Sequence, residues 1–182
     1  METVTTPPPP AAPRIAIERL TAFEGSDIND ICDAAEAAVV DGGGFGWLKA
    51  PPRHVFENYW RGVLLVPERQ LFVGRLDGVI GGAAQLVRPA RNNEAQAHAA
   101  TLTGHFVAPW ARGHGLARGL TATVEEAARA AGFRVLNLDV RESQTPAIAM
   151  YEARGFVRWG THPRYALVDG AYVAGHFYTK EL

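Results

Sequence analysis

From Ala97 to Gly155 the chain alternates strand, long helix, strand and short helix, an order that requires a parallel strand pair within the sheet. Ala97 to Val107 reads as a strand. Leu116, Leu120, Val124, Ala127 and Ala131 then recur every three or four residues, marking one buried helix face, and Gly132 stands where that helix should stop. Phe133 to Val140 (FRVLNLDV) carries the next strand. Thr145 is a suitable N-cap with Pro146 at the first helical position, so a short helix runs to about Arg154 and ends at Gly155. Earlier in the chain, Ile15, Ile17 and Leu20 begin a short strand. Asp27 to Val40 has helical apolar spacing behind Ser26 or Asp27 as cap, and Pro51-Pro52 opens a second helix to about Leu65. Gln70–Leu76 and Val79–Val87 form a hairpin through Asp77-Gly78, and Arg88 to Gln96 is a polar loop. Phe156–Trp159 and Tyr172–Tyr178 close the chain as strands. The fold class is α/β, a mixed sheet layered with helices.

Composition narrows the function classes. Of 182 residues, 47% are hydrophobic and 20% charged, enough apolar material for a core without a disulfide or structural metal. A net charge of -1 disfavours sequence-independent nucleic-acid binding. Cys32 is the single cysteine, so no internal disulfide can form, in keeping with a cytoplasmic setting. The longest nearly apolar run, Gly78 to Val87, is far short of the ~20 residues a membrane-spanning helix needs. METVTTPPPPAAP lacks the apolar centre of a secretory signal; residues 1–13 read as a disordered Pro-rich tail and 14–182 as a single domain.

Chemistry concentrates at the junction of the Ala97–Val107 strand and the long helix, where the chain reads Val107-Ala-Pro-Trp-Ala-Arg-Gly-His-Gly-Leu-Ala117. Two glycines allow close backbone approach to a ligand, and the first helical turn offers unpaired amides, an arrangement suited to a pyrophosphate. A plain glycine turn has the same composition. No Gly-Lys-Ser/Thr follows, so this is not a Walker loop. Gly113-x-Gly115 also lacks the third glycine of a dinucleotide fingerprint.

Leu102 to Phe156 resembles the GNAT superfamily of acyl-CoA-dependent N-acetyltransferases. Arg112-Gly-His-Gly115-Leu-Ala117 matches that family's Q/R-x-x-G-x-G/A loop, preceded by Val107-Ala-Pro109. Downstream, Leu138-Asp-Val140, Ala147, Tyr151 and Gly155-Phe156 match its second signature. The Gly42–Gly46 loop and the ending Pro163-Arg-Tyr165…Asp169-Gly170…Phe177-Tyr-x-Lys180 look like the tabtoxin-resistance type. The resemblance implies a mixed, mostly antiparallel central sheet with a splayed parallel strand pair, flanked by helices. It implies acetyl-CoA as co-substrate, its pantetheine arm along His105 to Val107, Phe106 included. The pyrophosphate would lie on Gly113, His114, Gly115, Leu116 and Ala117 with Arg112 at the mouth, and Gln144 would stand where the family often has an asparagine.

Tyr151, in the same motif, is the candidate general acid. A phenol of pKa ~10 stays protonated at neutral pH and can donate to a departing thiolate of pKa ~8.5. The base is open. No carboxylate lies in His98-Ala-Ala-Thr101-Leu-Thr103-Gly-His105, leaving His105, Glu142 after the next strand, or a water held by Thr101. The Gly42–Gly46 loop reads equally as a mobile rim over the acceptor site or a flexible helix exit. Trp110 and Trp159 read as packing residues. His114 is expected to be exposed, with no second ligand at metal spacing, and no metal is expected.

The function these features imply is direct acetyl transfer from acetyl-CoA to a small-molecule or peptide amine in a ternary complex. A non-catalytic acyl-CoA-binding module on the same fold is the alternative, and an NAD- or ATP-binding protein is a third reading. Neither membrane nor nucleic acid is an expected partner; family members often pair through edge strands as homodimers.

Overall fold

A computed structural model describes residues 12–182. The Pro-rich tail expected over residues 1–13 therefore lies outside the described residues, except for Ala12 and Pro13. The elements are β1 (Ile15–Leu20), α1 (Asp27–Val40), α2 (Arg53–Leu65), β2 (Arg69–Leu76), β3 (Val79–Val87), β4 (Ala99–Val107), α3 (Leu116–Ala130), β5 (Val135–Arg141), α4 (Thr145–Ala153), β6 (Val157–Val168) and β7 (Ala171–Glu181). One seven-stranded sheet runs in the order β1-β2-β3-β4-β5-β7-β6. Every neighbouring pair is antiparallel except β4 and β5. Crossing from β4 to β5 through α3 is what makes that pair parallel.

Alternation along the strands divides the apolar residues between the two faces. Leu71 and Val73 of β2 join Ile31, Ala35, Trp60 and Val63 beneath α1 and α2. Phe72, between them, turns to the other face, with Leu86, Leu102, Leu120, Val124, Leu136 and Leu138 beneath α3 and α4. Both tight hairpins use two consecutive positive-φ residues, Asp77 (51°) with Gly78 (90°) and Asp169 (48°) with Gly170 (82°), which matches the right-handed strand twist.

Three local expectations change. On α3, Leu116, Leu120 and Val124 are buried as the spacing predicts, but Ala127 is half-buried and Ala131 exposed; Thr121, Glu125 and Ala128 complete the face. At α4 the N-cap is Gln144, and Thr145 and Pro146 are the first two helical residues, with no side-chain cap bond. The strand expected over Phe156–Trp159 continues to Val168. Gly160 and Pro163 conceal it in the sequence, and as an edge strand with mostly exposed side chains it shows no apolar alternation. Among the described residues no helix is long and apolar enough to cross a membrane.

Candidate active site

Three rungs join β4 to β5: Ala99 with Val135, Ala100 with Leu136 and Thr101 with Asn137. Beyond them β4 continues to Val107 and β5 to Arg141 without further pairing, so the two strands splay and leave a gap in the middle of the sheet. Thr101 lies at the closed end of that gap.

Gly104 decides what faces the gap. Before it, even-numbered Ala100 and Leu102 pack toward α3; after it, even-numbered Phe106 packs in the opposite core. The register of β4 against β3 shifts at the same place, a bulge that reverses the facing of the residues that follow. Gly104 has φ 57°, and a Cβ there would stand 2.6 Å from Nε2 of the fully buried Gln85. That amide is fixed, donating to the Tyr59 hydroxyl at 3.0 Å and accepting from Arg69 at 2.7 Å. The bulge thereby aims His105 at α4, where its Nδ1 lies 2.6 Å from the hydroxyl of Tyr151.

Neither partner is in an ordinary ionisation environment. Burial pushes the His105 imidazole down to about 4, so the ring is neutral at physiological pH. Its Nε2 is buried and has no partner among the described residues. Burial, with the Asp139 carboxylate adding to it, pushes the Tyr151 phenol above its usual range and keeps it protonated.

The mouth of the gap is built at the N-terminus of α3. Gly113 (φ 81°) and Gly115 (φ 86°) both take left-handed backbone, and a Cβ on either would meet nothing within 4 Å. Gly115 is the N-cap, leaving the amides of Leu116, Ala117 and Arg118 without intrahelical acceptors. Only backbone is presented to the gap here, because the Leu116 side chain is buried in the core and His114 is exposed. Phe106 likewise contributes only backbone, its ring stacked on Phe45 at 4.6 Å. Arg112 donates through Nε to the Val107 carbonyl at 3.3 Å and pairs through Nη1 with Asp41 at 2.6 Å.

Gly42–Gly46 leaves α1 through a hydrogen-bonded closure. The amides of Gly42 and Gly43 donate to the carbonyls of Val39 and Ala38, a Schellman closure of α1 with Gly42 left-handed at φ 80°. Arg141 donates to the Gly44 carbonyl at 2.8 Å, and Gln144 Nε2 to the Gly42 carbonyl at 3.1 Å. The amide expected to touch a pantetheine arm is thus tied to this loop.

Other expected residues fall apart from the pair. Glu142 is exposed and accepts from the Ala174 amide at 3.4 Å. Cys32 is fully buried in α1, with its thiol pushed up to about 11 by burial. Trp110 and Trp159 are not core residues; they are 47% and 66% exposed, Trp159 lining a cavity on the open sheet face. Asp41, Asp139 and Arg141 also lie beside the gap and are not among the residues expected there. Alternation on β5 carried the signal, since inward Leu136 and Leu138 place Asn137, Asp139 and Arg141 on the opposite face.

This architecture matches known proteins. Residues 32–156 fit the model of the acetyltransferase (GNAT) family. The chain belongs to the GNAT family. An uncharacterised N-acetyltransferase from the hisH-hisA intergenic region of Azospirillum brasilense is 69% identical over 130 residues, 71% of this chain and 77% of that protein. Among solved structures, this GNAT chain is similar to a ribosomal-protein-alanine N-acetyltransferase from Brucella melitensis, with TM-score 0.76, 23% identity and coverage of 92% and 99%. It is also similar to yncA of Salmonella typhimurium, solved with acetyl-CoA, with TM-score 0.74, 18% identity and coverage of 92% and 94%. At those identities the structures establish the fold.

Proposed function

We propose that this GNAT protein transfers an acetyl group from acetyl-CoA to an amine by direct attack within a ternary complex. The observation that carries the reading is the Tyr151 hydroxyl, held by His105 in the same gap whose mouth presents the free amides of α3. Acetyl-CoA supplies an acyl group already activated as a thioester. Residues of this chain fit it: left-handed Gly113 and Gly115 leave open space beside orphan amides, the demand of a pyrophosphate. Arg112 adds charge at the mouth, and the unpaired edge of β4 from His105 to Val107 can receive the amides of the pantetheine arm. That yncA, similar in fold, was solved with acetyl-CoA supports acetyl-CoA as the co-substrate.

Tyr151 donates its phenolic proton, or a hydrogen bond, to the leaving sulfur. For that the phenolic hydrogen must be free. His105 frees it when Nδ1 carries the ring proton and donates to the Tyr151 oxygen, since Nε2 is then a bare acceptor, a smaller burial penalty than an orphaned N–H. His105 is therefore a positioning residue for the acid. Its depressed pKa makes it a poor acceptor for an ammonium proton. Cys32, buried and protonated, is no nucleophile, which supports direct transfer over a covalent enzyme intermediate.

Calorimetry with acetyl-CoA, paired with an amine-library screen that detects released thiol, tests the reading. Binding together with amine-dependent release is expected. Binding without release from any amine would make the protein an acyl-CoA-binding module, and failure to bind would end the reading.

A further inference from the structure

The reaction above leaves one built feature unused. Tyr165 leaves β6 and crosses β7 to donate its hydroxyl to the carboxylate of Asp139 on β5, two strands away. The crossing is possible because Gly175 lies beneath; a Cβ there would overlap the Tyr165 ring. The ring is further fixed edge-on against Phe177, with centroids 5.9 Å apart at 83°. A tyrosine, a glycine and a packed phenylalanine thus orient one carboxylate that nevertheless remains exposed.

Asp139 lies where β5, still paired with β7, has parted from β4, near enough to Tyr151 for its charge to act on that phenol. On the open sheet face it borders a cavity of about 340 Å³ whose walls include Thr101, Asn137, Trp159, Phe177 and Thr179. No lining residue is basic. Arg141, the nearest guanidinium along β5, donates to the Gly42 and Gly44 carbonyls. A carboxylate beside aromatic faces attracts an organic cation through charge and through ring quadrupoles together. The volume suits a small molecule.

We propose that Asp139, oriented by Tyr165 across Gly175, binds the ammonium group of the acceptor, a small primary amine whose apolar body packs on Trp159 and Phe177. This rests on the acetyl-transfer reading for the word acceptor, while the ammonium site itself can be measured without cofactor.

The probes are phenethylamine and its neutral analogue 2-phenylethanol, titrated calorimetrically into the full chain. The amine should bind about tenfold more tightly than the alcohol, the size of one charge-assisted contact. Asp139→Asn should erase that preference while leaving alcohol binding unchanged, because the amide still accepts from Tyr165. Tyr165→Phe and Gly175→Ala should each reduce it, and Trp159→Ala should weaken both probes, the amine more than the alcohol. An unchanged amine preference in Asp139→Asn, or none in the parent, overturns the proposal. Acetyl-CoA titrated separately distinguishes the two failures: lost cofactor binding with an intact amine preference overturns acetyl transfer, not the ammonium site.

Discussion

The Tyr151 hydroxyl lies 2.6 Å from Nδ1 of His105, joining α4 to the end of β4 that has parted from β5. Tyr151→Phe keeps the ring and removes the donor. Its kcat should fall by about 10²-fold, with kcat/KM falling alike and acetyl-CoA affinity unchanged. Steady-state kinetics beside calorimetry reads both; a rate within about twofold of the parent would return Tyr151 to a packing role.

His105 predicts a pH signature. Its folded pKa of about 4 lies below the unfolded value near 6.5, so between these limits the unfolded chain binds more protons. Stability from this residue is complete above pH 6.5 and declines as pH falls toward 4. Melting temperatures across that window should drop less steeply in His105→Gln than in the parent. The same variant should lose kcat in common with Tyr151→Phe, and the double variant should be no worse than either single one, as for two residues acting as a unit. Additive losses would separate their roles.

Much of this was legible in the sequence for definite reasons. The limits of α1 follow from its apolar spacing, and the β4–α3–β5 order compels the parallel pair. Tyr151 and the Gly113–Ala117 loop belong to local motifs, so reading them needed no tertiary knowledge. His105 was recognised as a titratable strand residue, but its facing depends on the Gly104 bulge. That bulge reflects Gln85 on a neighbouring strand, a contact no local pattern encodes. Asp139 escaped for a similar reason: Tyr165 reaches it from 26 positions away in sequence.

At the mouth of the gap, charge and conformation can be separated. Gly115→Asn and Gly115→Asp impose the same left-handed strain with residues that tolerate it comparatively well, and neither Cβ meets a neighbour. Melting temperatures of the two should therefore agree. Acetyl-CoA affinity should fall at least about tenfold further for Asp than for Asn, since only Asp opposes a phosphate at orphan amides. Equal affinities measured by calorimetry would place the phosphates elsewhere.

Arg112 is already paired with Asp41 at 2.6 Å, both about half exposed. A phosphate at the mouth must compete with that carboxylate. An exposed pair is worth at most about 1 kcal/mol, so Asp41→Asn should tighten acetyl-CoA binding by up to about fivefold. Added salt should shrink the difference. Weaker binding in Asp41→Asn would mean that the carboxylate helps the site rather than restraining Arg112.

Glu125 provides a prediction independent of catalysis. It is 2% exposed on α3, accepting from Arg154 Nε at 2.9 Å and Lys180 Nζ at 2.7 Å, and so ties α3 to the end of α4 and to β7. Burial alone would raise its pKa, but the bonds from Arg154 and Lys180 outweigh it and hold the carboxyl below its ordinary value. The native state therefore binds fewer protons than the unfolded chain near that value. This contribution is full at neutral pH and is lost on acidification below about pH 4.3. Glu125→Gln preserves shape but leaves Arg154, Lys180 and the more distant Arg129 facing a neutral amide, a loss of about 3 kcal/mol, at the low end for a broken buried pair because all three cations retain some solvent. In a chain of this length that is roughly 6–12 °C in Tm. Thermal unfolding at pH 7 and pH 3.5 should show a large gap between parent and variant at the first and a gap narrower by up to about 1 kcal/mol at the second, the most one proton can change over that interval. An equal gap at both would assign the loss to packing rather than to charge.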